Sequence, residues 1–62
     1  MNAVKAIFSP RGNVLGTIFE TDTGWGFDHV ATQTAREGFD TYEDARGAFM
    51  ECHEEWFENM AG

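Results

Sequence analysis

The chain has 62 residues and among them one cysteine, one proline, one serine and only four basic side chains. With Cys52 alone, a disulfide within the chain is excluded, and the sequence suits a reducing compartment. Ser9 stands beside Pro10 in a turn-forming run, which is no setting for a nucleophile elbow. Four Lys and Arg against eleven Asp and Glu leave a net charge of −7. Binding to nucleic acid rests on cationic contacts to phosphate, so this balance argues against direct nucleic-acid binding and equally against anionic membrane surfaces. There is no basic segment followed by an apolar run, and no stretch approaches ~18 consecutive apolar residues. Neither a signal peptide nor a membrane span is expected, and the expected location is the cytoplasm.

Ligating and catalytic groups are equally sparse. His29, Cys52 and His53 are the only imidazole and thiol side chains. Cys52 and His53 are adjacent, so on a helix they point about 100° apart and do not share one tetrahedral ion. No C-x₂-C or H-x₃-H spacing exists, and the glutamates lack an Asp/Gly-rich loop to build a hard-cation cage. Gly24-Trp25-Gly26 lacks the following helix that a phosphate-cradling loop requires. Acid–base chemistry needs a desolvated pocket, which a chain this short rarely encloses. No metal, cofactor, catalytic residue or enzymatic activity is expected.

What is present is aromatic and acidic. Six Phe, two Trp and one Tyr supply a dense apolar complement for one small domain, residues 1–62. Its core is marginal in size, because a ~60-residue domain buries only about 60% of its unfolded surface. The strongest element signal is a helix over residues 42–60. Thr41 followed by Asp44 fits a capping box, and Glu43 and Asp44 lie where the helix dipole favours negative charge. At ~100° per residue, Tyr42, Ala45, Phe49, Cys52, His53, Trp56 and Met60 share one arc. Glu43, Asp44, Glu51, Glu54, Glu55 and Glu58 occupy the opposite arc, with Met50 and Phe57 on the shoulder between.

Upstream, alternation and β-branched content predict strands over about residues 2–8, 13–21 and 25–31. Ser9-Pro10-Arg11-Gly12 is a turn, Pro presetting the second position and Gly taking the left-handed one. Thr21-Asp22-Thr23-Gly24 repeats that logic. The predicted fold is therefore α+β: a three-stranded antiparallel meander with one C-terminal amphipathic helix packed on one face. From Thr32 to Gly38 the chain reads as a loop or a frayed end of the third strand, with Arg36 to Phe39 a weaker candidate for a short extra strand. Pairing Ser9 with Asn13 puts Val4, Phe8, Val14 and Ile18 on one face and Ile7, Leu15 and Phe19 on the other. Trp25 and Phe27 join Leu15 and Phe19 if Thr21 faces Trp25, and join Val14 and Ile18 if the second turn slips by one residue. Either way the second strand is apolar on both faces, and one helix covers only one of them. Gly16 and Gly26, both mid-strand, mark close approach of a bulky neighbour or a bend, and Phe49 or Trp56 could fill such a gap.

The run Phe39-Asp40-Thr41-Tyr42-Glu43-Asp44-Ala45, entered from Trp25-Gly26-Phe27, resembles the sheet-to-helix junction of small βββα proteins from phages and mobile elements. In length, acidity and element order the chain also resembles small phage-encoded inhibitors, including anti-CRISPR proteins. That resemblance implies a non-enzymatic inhibitor or adaptor that occupies a host protein's surface, and it carries over no functional residues. From the residues themselves, Glu43, Asp44, Glu51, Glu54, Glu55 and Glu58 are the candidate partner-binding face. Carboxylates four apart on a helix rise ~6 Å, close to the spacing of phosphates along one strand, so a basic protein surface that grips nucleic acid would fit them. Ile7, Leu15, Phe19, Met50 and Phe57 are the candidate apolar surface for a partner or a second copy, and a homodimer is expected. The alternative is a self-associating accessory subunit whose acidic arc serves solubility alone.

Overall fold

A computed structural model describes residues 3–61. Four strands and one helix follow in order: β1 (Val4–Phe8), β2 (Val14–Thr21), β3 (Gly24–His29), β4 (Thr34–Phe39) and α1 (Tyr42–Ala61). The strands form one antiparallel sheet in the order β1-β2-β3-β4. The α+β class, the antiparallel meander and the C-terminal helix on one face agree with the sequence reading. The three-strand count does not, since Thr34–Phe39, which contains the weaker candidate strand Arg36 to Phe39, pairs with β3 around a bulge at Gly38. The expected start of the first strand at Asn2 lies outside the described residues, and the third strand stops at His29 instead of continuing to residue 31.

The first turn forms as its residues dictate. Gly12 takes φ +89°, its N–H donates to the Ser9 carbonyl at 2.9 Å, and Ser9 N–H donates to the Asn13 carbonyl at 2.8 Å. The second turn is one residue tighter than Thr21 facing Trp25 would give. Thr21 pairs with Gly24 across a two-residue turn, and Gly24 lies in the ladder, not in the left-handed region. A side chain there would run into the Phe39 carbonyl of β4. The tighter turn sets Ile18 opposite Phe27 and Glu20 opposite Trp25, the slipped register of the two considered.

Two bulges then adjust which side chains face the helix. Between Ile7 and Phe8 the register jumps from Gly16 to Val14, so Leu15 is the extra residue. This reverses the expected alternation across the bulge. Ile7 and Leu15 pack against the core beneath α1, while Phe8 and Val14 are exposed. The second bulge places Gly38, at φ +93°, opposite the Trp25/Gly26 step, which lets Phe39 join the core from the sheet's edge.

The helix begins where the cap predicts. Thr41 Oγ1 accepts from the Asp44 N–H at 3.1 Å, and the Thr41 carbonyl accepts the first helical bond, from Ala45, also at 3.1 Å. Ala45 and Phe49 are fully buried against Ile18 and Phe27, with Tyr42, Ala48 and Cys52 packed around them. Phe49 lies edge-on to Phe27 at 5.8 Å between ring centroids, and Tyr42 is edge-on to Trp25 at 5.5 Å. Lys5 Nζ sits 5.7 Å from the Tyr42 ring centroid, a cation–π contact that ties edge strand β1 to the helix start. Met60, assigned to the inner arc by periodicity, is exposed, at the rim of a groove formed with the first turn. Gly16 and Gly26 have the close neighbours expected of mid-strand glycines. Phe49 lies against Gly16 from the helix, and Phe19 covers Gly26 from the neighbouring strand on the opposite face.

Candidate functional sites: an acidic helix face and a buried histidine pair

The six carboxylates of the predicted binding face are all exposed along α1: Glu43 and Asp44 in the first turn, then Glu51, Glu54, Glu55 and Glu58. Arg46 is the one basic residue on the helix, and its last turn has none. The charge therefore lies along the side of α1 turned from the sheet, undiluted through its C-terminal half. Glu51 and Glu55 also line an open cleft of about 400 Å³ between α1 and β4, together with Arg36, Cys52 and Trp56.

The predicted apolar surface divides. Met50 and Phe57 are exposed on the helix shoulder as expected, and Phe57 borders a groove with Leu15, Trp56 and the Pro10–Arg11 turn. Phe19 lies on the sheet face away from α1, half-buried over Gly26. Ile7 and Leu15 are half-buried on the helix side, displaced from the open face by the Leu15 bulge. The residues that do expose apolar surface beside Phe19 are Val4, Phe8 and Val14, at 68, 57 and 48% of their full accessibility. An uncovered apolar sheet face exists, with Phe19 on it as expected and Val4, Phe8 and Val14 in place of Ile7 and Leu15.

A polar cluster beneath the helix is the feature that sequence reasoning missed. His29 is 1% exposed and is the buried polar residue of the core. It stands in phase with Trp25 and Phe27 on β3 and meets His53 from the inner arc of α1. Nε2 of His29 lies 3.1 Å from Nδ1 of His53. On the ring's other side, Nδ1 lies 3.0 Å from Thr32 Oγ1 and accepts from the Thr32 backbone N–H at 3.3 Å. Thr32 Oγ1 is in turn 2.8 Å from Thr34 Oγ1 and 3.8 Å from Cys52 Sγ. A backbone N–H can only donate, so Nδ1 of His29 is the acceptor and its proton sits on Nε2. His29 thus donates to His53, whose Nδ1 must be free to accept.

The surroundings of the pair are aromatic. Phe49 and Trp56 lie 5.3 and 5.8 Å from the His29 ring, and Trp56 is 5.5 Å from His53. Burial holds the His29 pKa below its ordinary 6.5, His53 adds to that lowering, and Asp28 pulls it back up in part. His29 is therefore neutral near pH 7. With both nitrogens engaged it is satisfied as a core residue, and no buried side-chain nitrogen or oxygen lacks a partner among the described residues. The signal for the inward orientation of His29 was present in the sequence, in the alternation Trp25, Phe27, His29. Cys52 approaches Thr32, on the far side of the His29 ring from His53, so the three side chains do not converge on one point. No group of three or more His, Cys, Asp or Glu is placed to hold an ion among the described residues.

Among the described residues, no helix is long and apolar enough to cross a membrane. Comparison with family models, with characterised proteins and with solved structures finds no match.

Proposed function

We propose that this protein is a non-enzymatic binding protein, an inhibitor or adaptor that lays the acidic side of α1 against a basic surface of a protein partner. The observation that carries the reading is the concentration of charge: six exposed carboxylates along one 20-residue helix with a single guanidinium among them. Like charges three and four apart weaken a helix by a few tenths of a kcal/mol each, so the arrangement works against the element that bears it. A cationic groove would relieve that repulsion and gain long-range attraction, which raises association rates and selects basic partners. A groove that normally grips nucleic acid is the best fit in spacing. This is the mode of action implied by the resemblance to small phage-encoded inhibitors.

Replacing Glu51, Glu54, Glu55 and Glu58 together by Gln tests it. Proteins retained from a bacterial lysate by the immobilised wild-type chain are expected to be rich in basic nucleic-acid-binding proteins and to elute with added duplex DNA. The quadruple variant is expected to lose them by tenfold or more while keeping its circular dichroism spectrum. An unchanged set of retained proteins would remove the electrostatic reading.

A second reading has its own observation, the bare Val4, Phe8 and Val14 on the sheet face opposite α1. Exposed apolar side chains gathered on one sheet face mark association surfaces, so self-association there would make this a small homodimeric subunit. Sedimentation velocity at micromolar concentration is expected to show a dimer that Phe8→Asp converts to monomer. A wild-type chain that sediments as a strict monomer would eliminate this reading and leave the first intact.

A further inference from the structure

We infer that the His29–His53 hydrogen bond is an acid-sensitive latch, which holds the C-terminal half of α1 on the sheet at neutral pH and releases it when the pair is protonated. The inference is independent of which partner the protein takes.

The geometry leaves an added proton no place without the loss of a bond. In the neutral pair the bridge of 3.1 Å needs one proton, on Nε2 of His29, with Nδ1 of His53 bare. A proton added to Nδ1 of His53 sets N–H against N–H across that distance. His29 can restore the bridge only by moving its own proton to Nδ1, which gives up the bond from the Thr32 backbone N–H at 3.3 Å and leaves Thr32 Oγ1, 3.0 Å away, as the acceptor on that side. A proton placed directly on Nδ1 of His29 can reach Thr32 Oγ1, but it displaces the same backbone N–H and leaves a charge between Phe49 and Trp56. Two added protons abolish the bridge outright and set two cations 5.4 Å apart. Once α1 lifts, His29 is hydrated and freed from the burial that disfavours its charged form, so it takes up a proton more readily. The closed form therefore binds fewer protons than the open one, and acid drives opening. Each excluded proton changes the open-to-closed ratio about tenfold per pH unit.

The neighbouring charges are few and do not supply an alternative partner for the proton. Asp28 is adjacent on β3 and partly offsets the lowering at His29. From the first turn, Arg11 borders the same groove as His53. From α1, Cys52 reaches Thr32, and Glu51 and Glu55 line the cleft beyond it with Arg36 of β4. The N-terminal half of α1 is anchored separately, by the Thr41 cap and by Ala45 in the core. Release can thus be confined to the turns beyond Phe49, in the way local unfolding usually respects such boundaries.

Amide hydrogen exchange, corrected for intrinsic rates and followed from pH 7.5 to 5.2, tests the latch while staying above the ordinary carboxylate range near 4. Protection of amides 52–60 is expected to fall at least tenfold over this range, while amides in the β2–β3 ladder change less than threefold. The variant His29→Phe/His53→Leu removes both groups together and leaves no buried donor stranded, so its helix protection is expected to be flat with pH. His53→Gln serves if the double variant does not fold. It keeps an acceptor for Nε2 of His29 and removes the second imidazole of the bridge, so half-opening should move down by at least half a pH unit. Helix protection in the wild type that does not change with pH, or that falls in step with the sheet, would overturn the latch. So would a His53→Gln variant that opens at the wild-type pH.

Discussion

Gly16→Ala is expected to cost about 3 kcal/mol or more and to lower the thermal midpoint by about 12 °C or more, using ~4–8 °C per kcal/mol for a domain of this size. The added methyl would meet the Asp28 carbonyl of β3 and the Phe49 ring at once. A side chain can rotate away, but the carbonyl belongs to the strand that pairs Gly16 with His29, so relief requires the ladder to open. Trimming the ring should therefore not rescue the variant: Gly16→Ala/Phe49→Leu is expected to be no more stable than Gly16→Ala alone. Gly47 provides the contrast. It lies mid-helix with nothing within 4 Å of where a methyl would sit, so Gly47→Ala should gain about 1 kcal/mol. Urea unfolding followed by circular dichroism measures all four proteins, and a Gly16→Ala midpoint equal to the wild type would refute the packing argument.

Phe49→Ala is expected to remove half or more of the chain's stability at 25 °C. Phe49 is fully buried and touches Phe27, His29 and the bare backbone at Gly16, and it stacks parallel to His53 at 6.4 Å. Removing such a ring costs about 3–5 kcal/mol. A domain of 62 residues has only about 3–9 kcal/mol in total. Phe49→Leu keeps most of the volume and should lose less than half as much. It should also admit water beside His29, which weakens the burial that keeps that ring neutral. His29 in this variant should then lose less stability below pH 6.5 than in the wild type. The pH dependence of the urea midpoint for the two proteins measures this, and parallel curves would show that Phe49 does not set the environment of His29.

How far the sequence carried these conclusions depended on what each element displays. The helix was fully legible, because Thr41 is a cap with a side-chain oxygen and because Tyr42, Ala45, Phe49 and Trp56 repeat at helical spacing. Strand β4 was legible only in part, as the weaker candidate Arg36 to Phe39, since Thr-Ala-Arg-Glu-Gly-Phe has no apolar alternation. As an edge strand it has little to bury, and Thr34, Arg36 and Phe39 are what it offers the helix side. The turn before it, residues 30–33, contains no Gly, Pro, Asn or Asp and instead puts Gln33 at φ 54°. The second turn was misplaced by one residue because Gly24 looks like a left-handed turn glycine, while its real constraint is the Phe39 carbonyl, at the end of a strand that the sequence offered only as a weaker candidate. The Leu15 bulge had no local mark at all, and it alone moved Ile7 and Leu15 from the candidate open surface to the covered side. The acidic face was legible residue by residue, because exposed charge follows directly from helical phase.

The histidine pair sits between these extremes. Each ring was individually readable as facing inward, His29 by strand alternation and His53 by the helical arc. That they meet depends on α1 lying mainly over β3, a matter of tertiary packing.

The strand order has a consequence for how the molecule assembles during synthesis. Every ladder joins strands that are neighbours in sequence, so each pairing closes a short loop and none waits for a distant partner. The core does not share that advantage, because Ala45 and Phe49, half of its fully buried apolar residues, come from the final segment. A nascent chain can therefore zip its meander early, yet Ile18 and Phe27 stay uncovered until α1 has emerged. The incomplete sheet, apolar on both faces, is the species most prone to pair with another copy or to need a chaperone.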